Sequence, residues 1–161
     1  MKLEILQLTS PTLPVGAFCY SEGLEWLIQN NFIKNSSTLN EWIESELLRG
    51  QIQVEACSIP HVMKDLTVWK TNKSKESKNI IYQWNSWLLA LRDSQEIRSQ
   101  QRQMGQSLIR LLKDLGHFLP NQQETLIWPI AWAWAGVSWE ISQIEMIETY
   151  LYSWSANQLS A

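Results

Sequence analysis

Three groups of residues in this chain have the types and spacing that chemistry needs. The first is Cys57 and His61, four apart, which would share one face of a helix as two ligands of a soft metal ion do. Two ligands do not close a site, and Pro60 stands between them. The plainer reading is a buried cysteine beside an incidental histidine. The second is the glycine-containing run from Leu8 to Trp26, which opens a helix as phosphate cradles do. A Walker loop requires Lys after its last glycine; none follows Gly16 or Gly23, and Glu22 and Glu25 would repel a phosphate. The third is the stretch from Asp93 to Leu112, rich in Arg and Gln, with Ile97 the lone apolar residue of its first half. Gly105 inside that stretch costs about 1 kcal/mol against Ala, which calls for a close approach of something to the backbone. Two readings stand for this helix. One is a solvated face with i, i+4 pairs and a glycine at a helix crossing; the other is a polar network that anchors the N-terminal loop or a partner.

The Leu8–Trp26 run is shaped by its own residues. Pro11 and Pro14 fix φ and extend their neighbours, while Gly16 admits a backbone that other residues resist. Ser21 is a suitable N-cap, with Glu22 and Glu25 in the electropositive first turns of the next helix. Phe18 and Tyr20 put apolar bulk into the loop itself. Such a loop either seats the first helices on the core or presents a fixed shape to a partner.

The elements that must position these groups read as helices throughout. Leu3, Ile5, Leu6 and Leu8 suit a short first helix, and Leu24, Leu27, Ile28 and Phe32 follow at helical spacing. Asn30-Asn31 and the run from Lys34 to Ser37 make a turn. Thr38 with Glu41, Asp93 with Glu96, and Ser142 with Glu145 each have capping-box spacing. Gly50 marks a break. Residues 52–69 are helical, with Pro60 kinking or starting the helix. Residues 71–79, polar and basic, are the clear loop of the chain. Ile80 to Leu91 is a heavily apolar helix, and Gly116 suits the C′ position after the Arg- and Gln-rich one. The pattern predicts an all-α fold, a single-domain bundle of about seven or eight helices, with no strand and no internal repeat.

Composition narrows the function. The chain has 161 residues, 45% of them hydrophobic, and a net charge of −3, so it lacks the basic surface that nucleic acid needs. Met1-Lys2-Leu3-Glu4 does not open a signal peptide, and cytoplasmic residence is the expectation. Cys19 and Cys57 are too few for a disulfide framework. There are ten tryptophans, densest between Leu126 and Trp139. That apolar run is shorter than the roughly 18 to 20 residues a membrane span requires. It fits a core helix; a membrane-surface helix and a partner-facing Trp face are the alternatives. No G-x-S-x-G or similar nucleophile setting is present, so neither a catalytic residue nor a metal site is assigned.

Three segments together resemble a known family. Leu6-Gln7-Leu8, Ser10-Pro11, Leu13-Pro14-Val15-Gly16-Ala17-Phe18 and Tyr20-Ser21-Glu22-Gly23-Leu24-Glu25 are similar to the opening of the urease accessory protein UreF family. Arg92-Asp93-Ser94-Gln95-Glu96-Ile97-Arg98 with Gln103-Met104-Gly105 is the second match. Tyr150-Leu151-Tyr152-Ser153-Trp154 with Asn157-Gln158 is the third. The resemblance implies an all-α protein over residues 1–161 that is no enzyme and carries no cofactor. It would act as a scaffold bridging UreD (also called UreH) and the GTPase UreG, in a complex that docks on urease apoprotein and supports GTP-dependent nickel insertion. It also implies a homodimer. Pro14, Gly16, Phe18, Tyr20, Ser21, Gly23 and Glu25, together with Arg92, Glu96, Arg98, Gln103 and Gly105, would then shape partner surfaces. Family members continue past the position of Ala161 with a further helical segment, which this chain is expected to lack, and Cys19 stands where Ser is commoner. The other functions considered are direct modulation of UreG, using Glu25, Arg98 or Arg102, and a generic Trp-rich helical interaction module.

Overall fold

The computed structural model describes residues 3–16, 23–120 and 122–160. These residues form helices α1 (Leu3–Leu8), α2 (Leu24–Gln29), α3 (Ser36–Arg49), α4 (Gln51–Asn72), α5 (Lys75–Ala90), α6 (Gln95–Asp114), α7 (Trp128–Ser138) and α8 (Gln143–Ser160), with no strand among them. The all-α expectation is met.

The bundle is built around α7. Its residues Trp128 to Gly136 are all buried, because Ala131, Ala133, Ala135 and Gly136 let neighbouring helices approach while Trp132 and Trp134 fill the remaining volume. Helices α4 and α6 pack along it, α8 crosses α4 and α7, and α5 and α3 lie against α4. Trp132 donates its Nε1–H to the Met146 carbonyl at 3.1 Å, so the indole is buried with its polar atom satisfied. The tryptophan-rich segment is therefore core, and Trp132 and Trp134 are withdrawn from any membrane or partner. A Cβ at Gly136 would lie 2.8 Å from Met146 Cγ and 2.9 Å from Met63 Cε, so α4, α7 and α8 meet there at closest approach.

The helix ends follow local chemistry. Gly116, at φ +91, ends α6 in a Schellman motif: its N–H donates to the Lys113 carbonyl at 3.0 Å and that of His117 to Leu112 at 2.8 Å. The box of Ser142 and Glu145 forms as expected, with Ser142 N–H on Glu145 Oε2 at 3.2 Å and Glu145 N–H on Ser142 Oγ at 3.3 Å. Two other boxes are shifted. Asn35, not Thr38, caps α3, accepting from the Thr38 N–H at 3.0 Å, and Ser94, not Asp93, caps α6, accepting from Ile97 at 3.2 Å. In both cases a better-placed short polar side chain precedes the first helical residue. Position 23 is the residue before α2, and the Ser21 cap falls outside the described residues.

Two larger corrections concern α4 and α5. Helix α4 continues through Pro60 rather than starting there. The expected loop at 71–79 shrinks to Lys73 and Ser74. Lys73 takes a left-handed φ of 52, while Ser74 caps α5 by accepting from Ser77. Asn72 Oδ1 holds that corner together, accepting from the Ser74 N–H at 3.0 Å and the Ser77 hydroxyl at 2.8 Å. Polar composition marked these residues as a loop, but capping chemistry lets polar residues belong to helix ends.

Candidate functional site

One face of the Arg- and Gln-rich segment on α6 turns inward. Gln100, Gln101, Met104 and Gly105 are buried together with Arg92, which precedes the helix. Arg92 pairs through Nη2 with Glu55 Oε1, and Tyr150 donates its hydroxyl to Glu55 Oε2 at 2.6 Å. The three side chains, from α4, the start of α6 and α8, are each nine-tenths or more buried. A buried carboxylate is tolerated only when it is paired and hydrogen-bonded, and this one is both. Arg98 donates Nε–H to the Arg92 carbonyl at 2.9 Å, which fixes the turn that delivers Arg92.

Glu55 was not singled out in the sequence. It lies on α4 among Ile52, Ala56, Ile59 and Met63, and an acid on the apolar face of a helix is the signal that could have found it.

Gly105 is where a backbone approaches. A Cβ there would fall 2.1 Å from the Leu126 carbonyl oxygen and 2.5 Å from the Ile127 carbonyl carbon. The approaching segment is clamped from its other side by α5. Asn85 Oδ1 accepts from the Ile127 N–H at 2.8 Å, Asn85 Nδ2 donates to Thr125 at 3.2 Å, and the Tyr82 hydroxyl accepts from Gln123 at 3.0 Å. Both readings of α6 hold in part: Gly105 sits at a close crossing and Gln95, Glu96, Arg102, Gln103 and Gln106 form a solvated face, while Arg92, Gln100 and Gln101 are buried on the polar side of the core.

The N-terminal loop sits beside this network. Leu8, Leu13 and Val15 are buried, and the loop turns on hydrogen bonds from Leu13 N–H to Ser10 at 3.0 Å and from Val15 N–H to Leu13 at 2.7 Å. A small cavity is lined by Ser10, Pro11, Leu13 and Val15 from the loop, Trp128 from α7, and Ser153 and Asn157 from α8. A second is lined by Glu55, Gln100, Gln101, Met104, Tyr150, Trp154 and Gln158, and by the same Trp128, Ser153 and Asn157. The three segments picked out in the sequence therefore meet at one junction.

The nominated residues divide into exposed and buried ones. Pro14 and Gly16, the latter at φ +75, are exposed on the loop, and Gly23 and Glu25 are exposed at α2. Glu96 and Gln103 are exposed on α6. Arg92 and Gly105 are structural and cannot touch a partner directly. Phe18, Tyr20 and Ser21 lie outside the described residues. Next to Gly23, Trp26 and Phe32 stack with ring centroids 5.7 Å apart, yet are 58% and 64% exposed. The Glu96 carboxyl is held below its usual range by a hydrogen bond from its own backbone N–H and by the Ser94 hydroxyl.

Cys57 is exposed, which corrects the expectation of a buried thiol, and His61 stacks on Trp84 at 6.3 Å. Trp84 in turn donates Nε1–H to Asp65 Oδ2 at 2.8 Å. Among the described residues no group of three or more His, Cys, Asp or Glu side chains could hold a metal ion. No described helix is long and apolar enough to cross a membrane.

The fold and site define a helical protein organised around a buried ion pair and a loop fixed at its surface. Comparison with known proteins gives the family. The UreF family model matches residues 33–161. The chain is 43% identical over 158 residues to the urease accessory protein UreF of Prochlorococcus marinus (strain MIT 9312), covering 96% of this chain and 68% of that protein. It is 38% identical to the UreF of Microcystis aeruginosa (strain NIES-843 / IAM M-2473), with coverage of 99% and 69%, and 40% identical to that of Synechocystis sp. (strain ATCC 27184 / PCC 6803 / Kazusa), with 99% and 71%. The chain belongs to the UreF family of urease accessory proteins.

Proposed function

We propose that this chain is a non-enzymatic scaffold of urease maturation, bridging UreD (UreH) and the GTPase UreG in a cytoplasmic complex that supports GTP-dependent nickel insertion into urease apoprotein, and that it works as a homodimer. The observation that carries this reading is the junction itself. The segments that resemble the family meet in one place, and there they form a buried polar framework beneath exposed loop residues. A framework of that kind holds a surface in one shape, which lowers the ordering cost of association. The residues proposed to shape the partner surfaces are Pro14, Gly16, Phe18, Tyr20, Ser21, Gly23, Glu25, Arg92, Glu96, Arg98, Gln103 and Gly105, with Arg92 and Gly105 acting from within the fold.

Co-purification with UreD and UreG tests this. The chain is expected to be retained with both; no retention of a chain whose helical circular dichroism is intact contradicts it. Direct modulation of UreG is the second reading, and the exposed Arg102 on α6 is the observation that keeps it. GTP hydrolysis by UreG with and without the chain separates the two, since passive bridging leaves the rate unchanged.

A further inference from the structure

Helix α3 is 14 residues long, yet none of them is buried. Every other helix buries at least one residue, and its neighbour α4 buries Ile52, Ile59, Val62, Leu66 and Trp69 among others. The apolar stripe of α3, formed by Leu39, Trp42, Ile43 and Leu47, is half-buried, and Leu48 is 66% exposed. The helix lies against α4, and the Trp42 ring meets that of Trp154 on α8 with centroids 5.8 Å apart. Locally α3 is well made. Asn35 and Thr38 form its capping box, and Asn40 donates to Glu44 at 2.8 Å along the helix itself. Such local chemistry does not hold a helix of this length alone, since isolated helices shorter than about 12 to 15 residues are marginal in water. Helix α3 therefore depends on docking, and its docking buries no residue completely. Segments of that kind open at a lower free energy than the core. The joint to α4 is one residue, Gly50, with extended backbone, and α4 is held independently by α7 and α8.

We infer that α3 is a cover that opens by itself, unfolding between Asn35 and Gly50 while α4, α6, α7 and α8 stay folded. Opening lifts Trp42 from Trp154, and Trp154 lines the same cavity as Glu55 and Tyr150. The cover thus controls access to the α8 side of the junction, whatever the loop of residues 10–16 binds.

Native-state amide exchange of the full chain in increasing denaturant is the test. Amides of residues 39–48 are expected to exchange at least about tenfold faster than those of residues 59–66 and 132–135. Their exchange also depends less on denaturant, because a partial opening exposes less surface. If α3 exchanges at the rate and with the denaturant dependence of α7, it opens only when the whole chain unfolds, and the cover is overturned. The variant Glu44→Pro gives a second arm. Proline at this exposed position in the middle of α3 breaks the helix. Protection is then expected to vanish in α3 and to persist in α4 and α7; loss of protection throughout overturns the independence of α3. The gating is read by fluorine NMR of the chain labelled with 5-fluorotryptophan. In Glu44→Pro the Trp154 signal is expected to broaden with a soluble paramagnetic agent while that of Trp132 does not. A Trp154 signal as protected as in the parent chain shows that α3 covers nothing there.

Discussion

Glu55, Arg92 and Tyr150 carry most of the site's electrostatics, and their separate contributions can be told apart by substitution. Removing one member of a buried ion pair leaves the other charged and unpaired, so Glu55→Ala is expected to cost about 3–5 kcal/mol in denaturant unfolding. Tyr150→Phe removes only a hydrogen bond to a charged group and is expected to cost about 1.5–3 kcal/mol. Replacing both charges, as Glu55→Leu with Arg92→Met, recovers much of the loss, because two apolar side chains need no pairing. A double variant as unstable as Glu55→Ala would contradict this account of the pair. Glu96 makes a pH-dependent contribution. Its folded carboxyl is more acidic than its ordinary value of 4.5, so the stabilisation is present above that value and is lost as pH falls through the lowered one. The Tm of Glu96→Gln is therefore expected to decline less steeply below about pH 4.5 than that of the parent chain. Arg92 could be nominated from the sequence because it stands in a polar run with matching family spacing. For Glu55 the one local signal is its place on the apolar face of α4; its partners are 37 and 95 residues away, and no local pattern connects them.

At the scale of elements, the crossing of α6 with the segment entering α7 decides the geometry. Gly105→Ala gains helix propensity but drives a methyl into the Leu126–Ile127 backbone, which Asn85 and Tyr82 hold from the other side. The net expected effect is a loss of about 1–3 kcal/mol by chemical denaturation, where an exposed helical Gly→Ala would gain stability. A more stable Gly105→Ala would show that the crossing is slack. Much of this was legible beforehand. The apolar periodicity gave the helices, Gly116 its C′ position, and Gly105 its need for a close neighbour. The corner at Lys73 and Ser74 was not legible, because Asn72, Ser74 and Ser77 read as loop residues until their mutual hydrogen bonds are known. Nor was the outward face of Trp26 and Phe32. The left-handed turn at Asn31 carries Phe32 back from α2, so helical spacing placed it on the wrong surface.

The molecule as a whole is a bundle whose centre is apolar around α7, with Glu55 of the buried ion pair lining a cavity that shares Trp128, Ser153 and Asn157 with the one lined by loop residues Ser10 to Val15. Sequence reading found the three segments; only the fold shows that α8 brings them together, through Ser153 and Asn157. In the proposed scaffold role this junction presents a fixed surface to a partner of the urease maturation complex. Amide hydrogen exchange of the chain alone and with UreD tests it most directly. Slowed exchange on binding is expected in residues 10–16, in Leu24–Gln29 and in the first turns of α6. A complex that forms with those segments unchanged, and with protection instead on the outward face of α5 around Ile80 and Trp87, would contradict it.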